Sequence, residues 1–307
     1  MIKIRNQARA AELGLLTATV IWGSAFVVVK DTTRAVPPSY LISIRFGIAF
    51  LLMCVIFFRR LKKIRLPDLA GGAVIGILGA IGFEFQTYGA KYTTAGKNAF
   101  LTSVYCVLVP FVYWAIKRRK PKLQNVAAAF LCIAGVGLLS VGPGFTIGSG
   151  DLMSIGCGLF FSFQIVAIDI FTEKRDPILL TILQTAFSMG VTLPIAAVTE
   201  PFPGRMETGT VLSLLYLAVF STTAAFLLQM VCQKYTDPSK ASLIMALESV
   251  FGTVFGVIFL NESVTIQMLF GGVLIFAAVF LSELQPEAFN FRSRKAKRRV
   301  RAEHAKT

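Results

Sequence analysis

The 307 residues are 55% hydrophobic and only 15% charged, with 27 phenylalanines and a mean hydropathy of +0.70, whereas globular chains run at about 45–50% apolar and about 25% charged. A formal net charge of +15 would point a soluble protein toward nucleic acid. Here the basic residues stand in short runs between apolar segments long enough to cross a hydrocarbon core of roughly 30 Å as helices, which excludes nucleic acid as the partner and indicates an all-α integral membrane protein.

In chain order the apolar runs predict transmembrane helices at 12–30, 38–58, 67–89, 96–116 and 122–141, then 150–171, 177–198, 209–232, 239–260 and 264–283. Lys3, Arg5 and Arg9 precede the first run as in a signal peptide. That run, Leu13 to Val29, exceeds an h-region of about 7–15 residues and lacks a small-x-small exit, so it reads as a retained helix. Cys54, Cys106, Cys132, Cys157 and Cys232 all fall in apolar segments without CxxC or His pairing, as expected of small packing residues. The uncharged stretch "GPGFTIGSG" at 142–150 is the natural boundary. It separates a first unit, 1–145, from a second, 146–285; a basic tail, 286–307, follows.

Alternate loops differ sharply in charge. Lysines and arginines number 25 on one side and 5 on the other, with Arg45 inside a span. Cytoplasmic loops carry the excess, so both termini are expected in the cytoplasm of a plasma-membrane protein. The tail "FRSRKAKRRVRAEHAK" is expected to lie on anionic headgroups, with about 1 kcal/mol per basic residue near the surface.

A repeat underlies the ten spans. "QTYGAKYTTAGKNA" at 86–99 returns as "QMVCQKYTDPSKAS" at 229–242, an offset of 143. The same offset pairs Phe83 with Phe226, Gln86 with Gln229, Val107 with Val250 and Tyr105 with Glu248. An offset of 139 sets "ELGLLTATVIWG" from Glu12 against "DLMSIGCGLFFS" from Asp151. Five spans per unit is an odd number, so the two units are expected to be inverted in the bilayer, an arrangement of many secondary transporters.

The chain resembles the EamA family of the drug/metabolite transporter superfamily. The resemblance is carried by Trp22–Gly23, Arg45–Phe46, "FLTSVYCVLVP" ending at Pro110, "LES…FLNE" from Leu247 to Glu262, and "GGVLI" at 271–275, and it covers roughly residues 10–285. It implies ten helices in two inverted EamA repeats, and transport of amino acids, related metabolites or drugs, often by export. One departure stands out: the acid that commonly closes the fourth span is replaced by "KRRK" at 117–120, while Glu262 keeps it in the second half.

Charges inside spans are costly in lipid and normally face the bundle interior or water. Glu248, roughly 13 Å into its span at 1.5 Å per residue, is the deepest acid. It is a candidate for a substrate ammonium or a coupling proton, or else a structural carboxylate. Arg45 is a candidate partner of Glu84 or Glu248, a fork for a substrate carboxylate, or a packing residue. Trp22, Gln86, Tyr105 and Gln164, with Tyr88, Phe160 and Gln229, are candidates to line a cavity. Glycines 72, 76, 79, 252 and 256 are expected to permit close helix contact. No G-x-x-x-x-G-K-[ST] motif occurs, and no loop is large enough for a nucleotide domain. No cofactor, metal site or enzymatic constellation is expected. These features suggest a secondary transporter of small molecules working by alternating access, with the substrate and protons as partners. The alternative is a non-transporting scaffold or sensor on the same fold.

Overall fold

A computed structural model describes residues 2–118, 120–121, 123–140, 148–263 and 265–283, and every element among them is helical. The helices are α1 (Ile2–Thr32), α2 (Pro38–Ile56), α3 (Leu66–Tyr92), α4 (Ala95–Thr102 and Tyr105–Lys117), α5 (Leu123–Ser140), α6 (Ser149–Thr172), α7 (Pro177–Thr199), α8 (Thr208–Gln233), α9 (Pro238–Met245 and Glu248–Leu260) and α10 (Ile266–Glu283). One further turn, Phe58–Leu61, lies between α2 and α3. Eight of these, α1 to α4 and α6 to α9, are long and apolar enough to cross a membrane, while α5 and α10 carry shorter apolar stretches, Leu123–Gly135 and Leu269–Ala278. Most of the expected boundary at 142–150 and the basic tail lie outside the described residues.

Local chemistry explains where the helices begin and end. Proline occupies the first turn of α2, α3, α7 and α9, where its missing N–H leaves nothing unsatisfied. Thr94, Asp176 and Asp237 cap α4, α7 and α9 by accepting backbone N–H groups. α4 and α9 both end in a left-handed residue, Arg118 (φ 56°) and Asn261 (φ 53°), a common way to close a helix.

The repeat reaches into these details. α4 and α9 are each broken after eight residues, at Ser103–Val104 and Ala246–Leu247. Breaks, caps and left-handed ends all correspond at the offset of 143. In both breaks the ladder tightens to i→i−3 bonds, Cys106 N to Ser103 O in one and Ser249 N to Ala246 O in the other, the pattern of a 3₁₀ turn. α2 and α7 likewise start at Pro38 and Pro177, 139 apart.

Equivalent helices pack on each other: α2 against α7, α4 against α9, α5 against α10. Small residues let the backbones approach. A side chain added at Gly72 would collide with Leu183 Cβ, and one at Gly76 would meet Gln184 O at 2.6 Å, so α3 and α7 touch through this stripe. Gly252 faces Ala99 across the α4–α9 contact, whereas Gly256 makes room for the Glu262 carboxylate rather than for another helix.

Two ion pairs tie the halves together at opposite ends of the α4–α9 pair. Lys97 Nζ lies 2.7 Å from Asp151 at the start of α6, and Lys240 Nζ lies 2.6 Å from Glu12 in α1. Lys97 and Lys240 are repeat equivalents at 143, and Glu12 and Asp151 at 139. Each half therefore supplies a lysine to the other half's acid.

Gly72→Val should destabilise the α3–α7 contact by about 1–3 kcal/mol through overpacking. The expected result is a lower unfolding temperature for detergent-purified protein, and Gly72→Ala should lower it as well, because even its Cβ would collide with Leu183 Cβ.

Candidate functional site

Between the halves lies a cavity with about 590 Å³ of space free of atoms, its open mouth included. Of the nine candidates its wall carries seven, among them Trp22 on α1, Arg45 on α2, Gln86 on α3, Tyr105 on α4, Gln164 on α6 and Glu248 on α9. Gln229 on α8 also lines it. Tyr88 and Phe160 do not: Tyr88 donates a hydrogen bond to Glu200 at 2.6 Å, and Phe160 stacks on Phe85 at 5.6 Å.

The cavity is built around repeat equivalents that touch. Tyr105 Oη donates to Glu248 Oε1 at 3.0 Å, Ser103 Oγ to Ala246 O at 3.4 Å, and the Phe83 and Phe226 rings meet at 5.6 Å between centroids. Direct contact between equivalents requires a pseudo-two-fold axis to pass between them. The helices themselves run antiparallel, since Glu262, just beyond α9, accepts from Ala95 N (2.7 Å) and Gly96 N (3.1 Å) at the beginning of α4. An axis relating antiparallel helices lies perpendicular to them.

Glu248 and Tyr105 are both buried, at 5% and 3% exposure. Both sit in the first turn after a helix break, where the break turns their side chains onto the same wall. Glu248 is bonded to a neighbouring helix and also faces the cavity.

Arg45 meets neither Glu84 nor Glu248. Glu84 accepts from Ser39 Oγ at 2.8 Å instead. The Arg45 guanidinium donates from Nε to Thr222 Oγ1 (2.9 Å) and from Nη2 to Ser221 Oγ (3.0 Å), and lies over the rings of Phe83 (4.9 Å) and Phe46 (5.9 Å), distances that allow cation–π attraction. Its hydroxyl partners belong to a π-helical stretch of α8, Leu217–Ala224. There Thr222 and Thr223 donate to the carbonyls five residues back, Leu217 O and Ala218 O, both at 2.9 Å. Trp22 Nε1 also docks on this stretch, on Ser221 O at 2.9 Å. π-helical turns are rare and concentrate at functional sites.

Sequence reasoning missed Asn98, Ser221 and Met245 on the wall. The signal for Ser221 was the polar triplet Ser-Thr-Thr inside an apolar span. For Asn98 it was an amide inside the repeated phrase itself, and it is fixed by bonds to Gln86 O (3.1 Å) and from Ser154 Oγ (2.8 Å). Met245 gives no signal beyond its place at the break.

The profile of the EamA-like transporter family matches this chain twice, at residues 9–141 and 148–284. The chain belongs to the EamA-like transporter family. An uncharacterised transporter of Archaeoglobus fulgidus is 35% identical over 275 residues, spanning 90% of this chain and 86% of its own length. The uncharacterised transporter YoaV of Bacillus subtilis is 22% identical, over 92% of this chain and 98% of its own. A WAT1-related chloroplastic protein of Arabidopsis thaliana is 23% identical, over 87% of this chain and 68% of its own. A solved crystal structure at 18% identity superposes with a TM-score of 0.74, covering 92% of this chain and 99% of that one, which shows the shared fold. The EamA chain is accordingly a multi-pass membrane transporter, and its relatives are named as transporters, not enzymes.

Removing the Tyr105 hydroxyl should leave Glu248 buried without its hydrogen-bond donor. Tyr105→Phe is expected to lower stability by about 1–3 kcal/mol, the range for hydrogen bonds to charged groups and for unsatisfied buried polar groups. Thermal unfolding in detergent checks this, with Tyr235→Phe, exposed and off the cavity wall, as the control.

Proposed function

We propose that this EamA protein is a secondary transporter that moves amino acids or small amphipathic metabolites across the plasma membrane by alternating access, in the direction of export. In this reading ten spans form two inverted five-helix repeats, 1–145 and 146–285, with both termini in the cytoplasm and the basic tail on anionic headgroups. The observation that carries it is the meeting of Tyr105 and Glu248, equivalents from the two halves, on the wall of the cavity between them. A site on the pseudo-symmetry axis can face either side of the membrane if the halves rock about it, which is how inverted-repeat transporters work.

The lysine–acid pairs at the two ends of the α4–α9 pair fit the same scheme. Lys97–Asp151 and Lys240–Glu12 are each partly buried and each join one half to the other. In an alternating cycle one would open while the other holds. Glu248 serves either as the anchor of a substrate ammonium or as the carrier of an exchanged proton.

Counterflow tests this. Purified protein in liposomes loaded with candidate amino acids and organic cations should accumulate the matching labelled compound. Glu248→Gln should reduce that uptake at least tenfold. Absence of counterflow for every compound would favour a scaffold or sensor, and full uptake by the variant would remove Glu248 from the mechanism.

A further inference from the structure

We propose that Arg45 is a carboxylate subsite of the cavity, so that the molecule bound there carries a single carboxylate on an apolar body. This rests on the cavity being the substrate site and adds a chemical requirement for entry.

Arg45 is 1% exposed, so its charge is removed from bulk water. Such a charge is costly unless paired with an opposite one. Yet the ion pairs among the described residues all lie elsewhere, and no carboxylate comes within 4.0 Å of this guanidinium. What it has are two hydroxyl acceptors and two ring faces. Thr222 is held in place by its own bond to Leu217 O, so its lone pair is fixed toward Nε. The π-helical stretch thus orients the guanidinium while leaving its charge unneutralised. Nη1 makes no hydrogen bond among the described residues, and Arg45 lies on the cavity wall. A cation kept only for packing would be expected to have a carboxylate partner or a full set of acceptors. The planar fork of arginine matches a carboxylate in shape as well as charge.

The rest of the wall narrows the ligand. Its other charge-bearing side chain is Glu248, and Phe83, Phe161 and Phe226 supply ring surface. A dianion such as a phosphate monoester would meet one cation and one repelling acid. A monocarboxylate with an apolar body faces the same acid with only one charge, which the single cation balances, and lays its body on the rings.

The test uses one body with three head groups. Isothermal titration of the full-length protein in detergent with 3-phenylpropionate, 3-phenylpropionamide and 3-phenylpropylamine compares acid, amide and amine directly. The acid is expected to bind at least tenfold tighter than the amide. R45Q should bring the acid down to the affinity of the amide, leaving the amide unchanged. The wild-type series decides alone should R45Q fail to fold. Equal binding of acid and amide, tighter binding of the amine, no binding of any of the three, or displacement of the acid by inorganic phosphate would each overturn the subsite. Selective acid binding without counterflow would keep the subsite and remove transport. Counterflow with no preference for the acid would do the reverse.

Discussion

Everything at the centre of this protein depends on α4 and α9 crossing where both are broken. A continuous helix keeps its polar backbone satisfied along its whole length, which is why membrane interiors favour it. Here the ladder tightens at Ser103–Val104 and at Ala246–Leu247, and the two interruptions are set against each other. Ser103 Oγ donates to Ala246 O across the crossing, so part of the interrupted backbone is satisfied by its own equivalent. The turn also re-aims the residue that follows. That residue is Tyr105 in one half and Glu248 in the other, and their bond closes the crossing on the cavity side.

Around this crossing the halves are interleaved rather than merely adjacent. α2 packs on α7 and α5 on α10, equivalents against equivalents. Lys97 pairs with Asp151 of the other half, and Lys240 with Glu12. Glu262, just beyond the end of α9, accepts hydrogen bonds from the buried N–H groups at the start of α4. A carboxylate there gains from both hydrogen bonds and the helix dipole. Its equivalent position is Arg119, so α9 begins without a matching acid from α4 and relies on Asp237 within its own chain segment. Both ends of the crossing carry a local cap, Thr94 and Asp237, and the α4 end adds the Glu262 clasp.

Much of this was legible in the sequence, because a duplicated phrase encodes a spacing as well as a similarity. An offset of 143 read from Lys-Tyr-Thr carries over to the helix breaks, the caps and the left-handed ends, and it brought Tyr105 opposite Glu248 before any coordinate. What the sequence could not convey is helix rotation. Tyr88 and Phe160 are aromatic and mid-chain like Trp22, yet one turns toward Glu200 and the other stacks on Phe85. Apolar helices in lipid show little difference between buried and lipid-facing sides, so periodicity did not separate them. The partners of Arg45 were hidden for another reason. A π-helical turn changes which side chains face inward, and nothing in "LAVFSTTA" distinguishes i−5 from i−4 bonding. An acid was the reasonable expectation for a buried arginine, and hydroxyls are what it has.

The two charges on the cavity wall are also the places where the duplication fails. Glu248 corresponds to Tyr105 at the offset of 143. Arg45 corresponds to Gln184 at the offset that relates α2 to α7. Neither charge is repeated, although the frame that holds them is. Had both been duplicated, the cavity would carry two cations and two acids arranged symmetrically, and these could neutralise one another. With one of each, contributed by different halves, Arg45 is held by Ser221 and Thr222 and Glu248 by Tyr105, and the two stay apart. Symmetry places the cavity between equivalent elements of the two halves. The departures from symmetry give that cavity a polarity, with a cation from α2 and an acid from α9. A ligand bound between them would be oriented by the protein rather than merely enclosed.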